Sequence, residues 1–298
     1  MKSTALLIKR NVKLFFKDKG MFFTALITPA ILLVLYSTFL GNVYRDSFLS
    51  NLPNTVTLPE KLINGLVGSQ LISSILAVSC VTVAFCSNFL MVTDKANGTV
   101  KDLRISPIKS SELAISYYMA TIMSTLLICL TATVLCLVYL GAVGLYMSVV
   151  DIILLFADVI LLVLFGTALS SVINFFLSSQ GQISAVGTIV SSCYGFICGA
   201  YMPISSFSEG LQRVIMFLPG TYGTSLIRNH TMRGALAEIE KQGIPADAVN
   251  ELKDAMDCNL YFFDAKVEPW AMYAVLGATI LTLVGVYIIL NSLKKKQK

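Results

Sequence analysis

Residues 94–112 read DKANGTVKDLRISPIKSSE, a polar and strongly charged island between apolar runs. Cys86–Thr93 leads into it and Leu113–Met119 leads away, so the chain leaves one apolar segment and enters the next within this stretch. Gly98 permits a tight turn, and Pro107 disfavours helix in the residue ahead of it. The spacing predicts a short helix from Thr99 to Ile105 that acts as a handle on the segments either side.

The flanking runs set the class. Hydrophobic residues make up 56% of the 298 and charged residues only 13%, with a mean hydropathy of +0.77. That composition describes a polytopic membrane protein. The net charge of +5 sits at the ends of apolar runs and forms no continuous basic face, which argues for membrane orientation and against nucleic-acid binding. Cys80, Cys86, Cys129, Cys136, Cys193 and Cys198 lie in apolar runs, and Cys258 lies in a polar stretch, so no disulfide framework is expected. His230 is the single histidine, and no Cys-His metal spacing exists.

The fold expected is an all-α integral membrane protein, one transmembrane domain over 1–298, with six spans. Residues 1–20 form an interfacial amphipathic helix, with Ala5, Ile8, Val12, Phe15 and Phe16 on one face and Lys9, Lys13 and Lys17 on the other. The run after it is too long, and the basic start too extended, for a signal peptide. The spans expected are Met21–Leu40 with a kink at Pro29, Gln70–Thr93, Leu113–Leu140, Val150–Phe176, Ile183–Tyr201 and Trp270–Leu290. Residues 41–69 read as an aqueous loop. Asp158 in the fourth span has two placements: near the headgroups, or facing a bundle interior or pathway. Gly195 and Gly199, four apart, are expected to pack helices closely.

Residues 203–234 are too apolar for a free loop and too interrupted, at Pro203, Pro219 and Gly220, for a span. Leu211, Val214, Ile215 and Leu218 follow helical spacing. The segment is read as an outer re-entrant hairpin, sheltered by other protein, with Tyr222 beside its break. Residues 235–268 are read as a small water-facing outer subdomain, and His230 as a solvated or hydrogen-bonded residue of the hairpin. Trp270 stands where an interfacial aromatic anchors a span.

Basic residues cluster in three places: Lys2, Lys9, Arg10, Lys13, Lys17 and Lys19; Lys95, Lys101, Arg104 and Lys109; and Lys294, Lys295, Lys296 and Lys298. Six spans put all three on one face, and the positive-inside bias makes that face cytoplasmic. Asn97-Gly-Thr99 matches a glycosylation sequon but falls on that face. Intramembrane catalysis finds no nucleophile and base inventory, and the acids of 236–268 lack calcium-loop spacing.

In order, the parts resemble the type-2 (ABC-2) exporter permeases of the ATP-binding cassette superfamily. The resemblance rests on the basic amphipathic start, on Gly98, Thr99, Leu103 and Pro107 in the pattern Gly-Thr-x-x-x-Leu-x-x-x-Pro, on GAYMPI (199–204) leading to LPGTY (218–222), and on a final span with a basic tail. The usual glutamate-rich run before the glycine is reduced here to Asp94, and no salt bridge is assigned to it. The resemblance implies a non-enzymatic permease without its own motor, in keeping with the lack of a Gly-x-x-x-x-Gly-Lys-Ser/Thr loop. Two permease chains, as a homodimer or a pseudo-symmetric heterodimer with the homodimer favoured, would pair with two cytoplasmic ATPase subunits that carry the ATP and Mg. Gly98, Thr99, Leu103, Arg104 and Pro107 would take the ATPase contact, and Pro203, Pro219, Gly220 and Tyr222 the outer gate. The expected location is the plasma membrane, in lipid, with both termini cytoplasmic. The expected cargo is an amphiphile: a drug, antibiotic, lipid or modified peptide. The alternatives are a lipid-linked polysaccharide, or a non-transporting sensor or immunity role.

Overall fold

The computed structural model describes residues 2–50, 58–106, 108–263 and 265–296. It is a helical bundle arranged around one helix. In chain order the helices are α1 (Lys2–Lys17), α2 (Lys19–Leu35), α3 (Gly41–Ser50), α4 (Glu60–Ala96), α5 (Thr99–Ile105), α6 (Ser110–Val143), α7 (Val149–Phe176), α8 (Gln180–Ile197), α9 (Glu209–Ile215), α10 (Pro219–Lys241), α11 (Ala246–Ala255) and α12 (Pro269–Lys296).

The central helix is α4, whose most apolar stretch is wholly buried by the other helices. Its sequence explains this: Ser69, Ser73, Ser74, Ala77, Ser79, Cys80, Ala84 and Ser87 are small, so neighbours approach on every side. The hydroxyls of Ser69, Ser79 and Thr82 donate to carbonyls of their own helix, which satisfies them without a partner helix. Gly166 of α7 lies where an added Cβ would stand 2.9 Å from the Cys80 carbonyl oxygen, so α4 and α7 cross almost in backbone contact. Leu76, Cys80, Val81, Leu155, Val159 and Leu162 fill the shared core.

Among the described residues, five helical stretches are long and apolar enough to cross a membrane: Lys19–Asp46, Glu60–Ala96, Ser110–Val143, Val149–Phe176 and Pro269–Leu293. The expected fifth span corresponds to α8, which is 18 residues long but is not among those five. Gln180, Gln182, Ser184, Thr188, Ser191 and Ser192 dilute its hydropathy.

Several expectations are corrected. Residues 41–69 are not simply an aqueous loop. Helix α2 passes through a π-helical turn at Tyr36–Leu40 into α3, and α4 begins at Glu60, ahead of the expected Gln70. The Tyr36 and Tyr44 rings stack across that turn with centroids 5.5 Å apart. No boundary falls at 234–235, because α10 runs straight through it. The fold also has a small antiparallel hairpin, β1 (Leu260–Phe262) with β2 (Ala265–Val267), pairing Leu260 with Val267. Residues 235–268 include a buried core of their own, Leu236, Ile239, Val249, Leu252 and Met256 packed with Leu62 and Leu66 of α4. The alternation of charge there is the outer face of an amphipathic α11.

Candidate functional site: a joint at one end of the bundle and a polar latch at the other

The predicted short helix is α5, begun at Gly98 with φ +81°, a left-handed turn that glycine adopts without strain. Leu103 turns inward with Val100 and packs against the cluster of Leu7, Leu90, Met91, Leu113 and Tyr117. The apolar side chain presented outward is Ile105, 86% exposed. Thr99 is half-buried and Arg104 lies in the last turn of α5. Pro107 lies outside the described residues.

Two consecutive residues at the end of α4 anchor this helix. Asp94, 6% exposed, accepts from Arg10 of α1 at 2.8 Å and from the Tyr117 hydroxyl of α6 at 2.6 Å. Lys95 donates to the carbonyls of Asn174, Phe175 and Leu177 at 3.0–3.3 Å, closing the C-terminus of α7. One turn of α4, next to α5, is therefore tied to α1, α6 and α7. Asp94 forms a salt bridge that the sequence reading left unassigned. Its partner is 84 residues away, and no local pattern announces it.

At the opposite end, α10 carries the polar groups. Arg228 is 1% exposed, the bulkiest of the fully buried side chains among the described residues. It donates to the Asp257 carboxylate at 3.1 Å, to the Met256 carbonyl at 2.9 Å and to the Gly199 carbonyl at 2.9 Å, and its Nε approaches the Ser73 hydroxyl of α4. Asp257 takes a left-handed backbone conformation, φ 52°, and also accepts from the Ile204 amide. Burial pushes the Asp257 carboxyl up to about 6, against the opposing pull of Arg228.

Two residues further along α10, His230 Nδ1 meets the Asp158 carboxylate of α7 at 2.5 Å, and the Tyr273 hydroxyl of α12 donates to the other oxygen at 2.5 Å. Asp158 is 2% exposed. It faces the bundle interior and holds α7, α10 and α12 together, and His230 is buried, not solvated. Asp151 caps α7 with Ser148 and also pairs with Arg233 of α10. The sequence reading passed over Arg228 and Arg233. The available signal was Arg228, His230 and Arg233 within two turns of one stretch, facing acids elsewhere.

The remaining expected positions fall around this latch. Pro203 leads into a 3₁₀ turn at Ile204–Ser206, and Pro219 opens α10, where its missing N–H costs nothing. Gly220 abuts the Tyr194 hydroxyl, leaving no room for a Cβ. The Tyr222 hydroxyl donates to the Met216 carbonyl at 2.6 Å, tying α10 to the end of α9. Gly195 and Gly199 do not share a helix face: α8 ends at Ile197, Gly199 has φ +71°, and Gly195 is covered by the Tyr201 ring. Cys258 is buried beneath α10, with its carbonyl accepting from Ser225 and Asn229.

A cleft runs between α2 and α8 over a floor of α4. One part, about 600 Å³, is lined by Thr24, Cys86, Phe89, Gln180, Ser184 and Thr188 among others. It continues through Ser191 and Ser192 into a second part of about 470 Å³ with Ile27, Ile31, Leu35 and Phe196. One wall is thus a polar stripe of α8 at positions 180, 184, 188 and 191, and the other is the apolar face of α2. That stripe, at helical spacing, was legible in the sequence. Among the described residues no cluster of His, Cys, Asp and Glu is placed to hold a metal ion.

Comparison with protein families matches residues 2–231 to the ABC-2 type transporter model. A search of curated proteins finds no match.

Proposed function

The chain belongs to the ABC-2 type transporter family, and from that premise we propose that it is the permease subunit of an ATP-driven exporter moving an amphiphile outward across the plasma membrane. The cleft between α2 and α8 carries the choice of cargo. An amphiphile can lay its apolar body on Ile27, Ile31 and Leu35 while hydroxyls and amides of α8 satisfy its polar groups. In this reading α8 is the fifth of six spans, because helix packing and a polar pathway at one face compensate for its lower hydropathy.

The termini and α5 face the cytoplasm, where the positive charge lies. Two ATPase subunits, holding ATP and Mg, seat α5 through Ile105, Thr99 and Arg104, with Gly98 and Pro107 setting its ends. A second copy of the chain completes the pathway. Closure of the ATPases moves α5, and the joint at Asp94 and Lys95 rocks α1, α6 and α7 as bodies. The segment from Pro203 through Pro219, Gly220 and Tyr222 is the outer gate, re-entrant from the outer side. Asp158 acts as part of the latch that holds the gate helix α10 to α7 and α12.

The test is transport by the reconstituted complex with Ser191→Trp, which fills the middle of the cleft. Export of an amphiphilic dye should fall at least about tenfold while ATPase binding persists. Unchanged export would remove the cleft from the pathway, and a permease that copurifies with no ATPase would overturn the assignment.

A further inference from the structure

A second groove lies away from the cleft, between the first turns of α6 and the last turns of α12, at the end of the bundle that carries α5. Its volume is about 720 Å³. Both walls change character in the same direction. Along α6 they pass from Ser110 and Ser111 to Ile115 and Met119, and along α12 from Ser292 and Asn291 to Ile288 and Val284. The floor is the stacked pair Tyr118 and Tyr287, centroids 5.9 Å apart, with the Tyr287 hydroxyl directed to the Ala114 carbonyl at 3.4 Å.

We propose that this groove binds one anionic phospholipid from the leaflet at that end. The chain's own asymmetry names the occupant. The polar mouth meets the first turn of α6, whose backbone N–H groups have no acceptor within the helix and favour an anion. Lys109 precedes that turn, and Lys294, Lys295 and Lys296 follow in the last turn of α12, against one acid, Glu112, whose carboxylate accepts from the Lys109 backbone N–H. The phosphate sits at Ser110 and Ser111. Asn291 and Ser292 already donate to carbonyls of their own helix, so they offer acceptor oxygens to headgroup hydroxyls. An acyl chain then runs over Ile115, Met119, Val284 and Ile288, three of which are exposed. A neutral detergent or zwitterionic lipid fits the apolar part but leaves the charge unmatched.

The experiment is native mass spectrometry of the purified full chain, exchanged into phosphatidylglycerol or phosphatidylcholine. One phosphatidylglycerol should remain per chain, held about tenfold more tightly than phosphatidylcholine. Ser111→Asp adds a carboxylate at the mouth, where the helix N-terminus tolerates it, and Met119→Trp fills the apolar end. Each should reduce phosphatidylglycerol retention about tenfold, with helical content unchanged by circular dichroism. Equal retention of the two lipids, or variants that hold phosphatidylglycerol as the parent does, would overturn the proposal. So would a second copy of the chain that crosslinks through Ile288→Cys and excludes lipid.

Discussion

Arg10 on the amphipathic first helix reaches Asp94 at the end of the central helix, 2.8 Å away, with the Tyr117 hydroxyl on the same carboxylate oxygen. The pair fixes α1 to the helix that leads into α5. Arg10→Ala leaves a nearly buried carboxylate with one neutral donor and should cost about 1–3 kcal/mol. Arg10→Ala with Asp94→Asn should recover part of it. Thermal unfolding in detergent of the parent, Arg10→Ala, Asp94→Asn and the double variant gives the coupling, and strict additivity would show that the pair is not coupled.

Leu103 and Ile105 separate packing from contact. Leu103→Asp puts charge into the cluster around Leu90 and Tyr117 and should lower the unfolding temperature. Ile105→Asp alters an exposed side chain, so it should leave stability within about 0.5 kcal/mol and weaken ATPase capture. If Ile105→Asp captures the ATPase as well as the parent does, the contact lies elsewhere on α5.

The latch at Asp158 predicts an asymmetry. His230→Ala strands a buried carboxylate with only the Tyr273 hydroxyl and should destabilise by roughly 3–5 kcal/mol. Asp158→Asn with His230→Ala removes the charge as well and should be milder than His230→Ala alone. Transport in the milder variant then reports what the latch does beyond stability, and parental transport would make it purely structural.

Asp257 sets a pH dependence whose sign follows from its raised value near 6. The folded protein binds this proton more tightly than the unfolded chain, so this group's contribution falls as pH rises through 6 and grows as pH drops toward 5. Between pH 7 and pH 5 the gain is roughly 1 kcal/mol. Asp257→Asn should abolish it. A parental slope in the variant would assign the pH dependence to other groups.

Cys258 is buried, so a labelling test of topology needs a cysteine placed nearby. An impermeant maleimide should leave Cys258 unmodified in the folded protein and should label Glu251→Cys, whose position is exposed on α11. Labelling is expected from outside intact cells. Labelling only after permeabilisation would invert the membrane orientation.

Local sequence was enough for the membrane class, the short helix after Gly98, the chain's interruption at Pro219, and the clustering of basic residues in three segments. Each of these depends on neighbours within a few positions: apolar run length, a glycine's backbone freedom, a proline's missing N–H, or charge beside a run. Helix packing set the rest: that α4 is central, that Leu103 points inward and Ile105 outward, and which charges meet. Arg10 with Asp94, Asp158 with His230, and Arg228 with Asp257 are separated by 84, 72 and 29 residues. Their pairing follows from which helix faces are buried together, where an unpaired charge would be costly, and no local spacing encodes that.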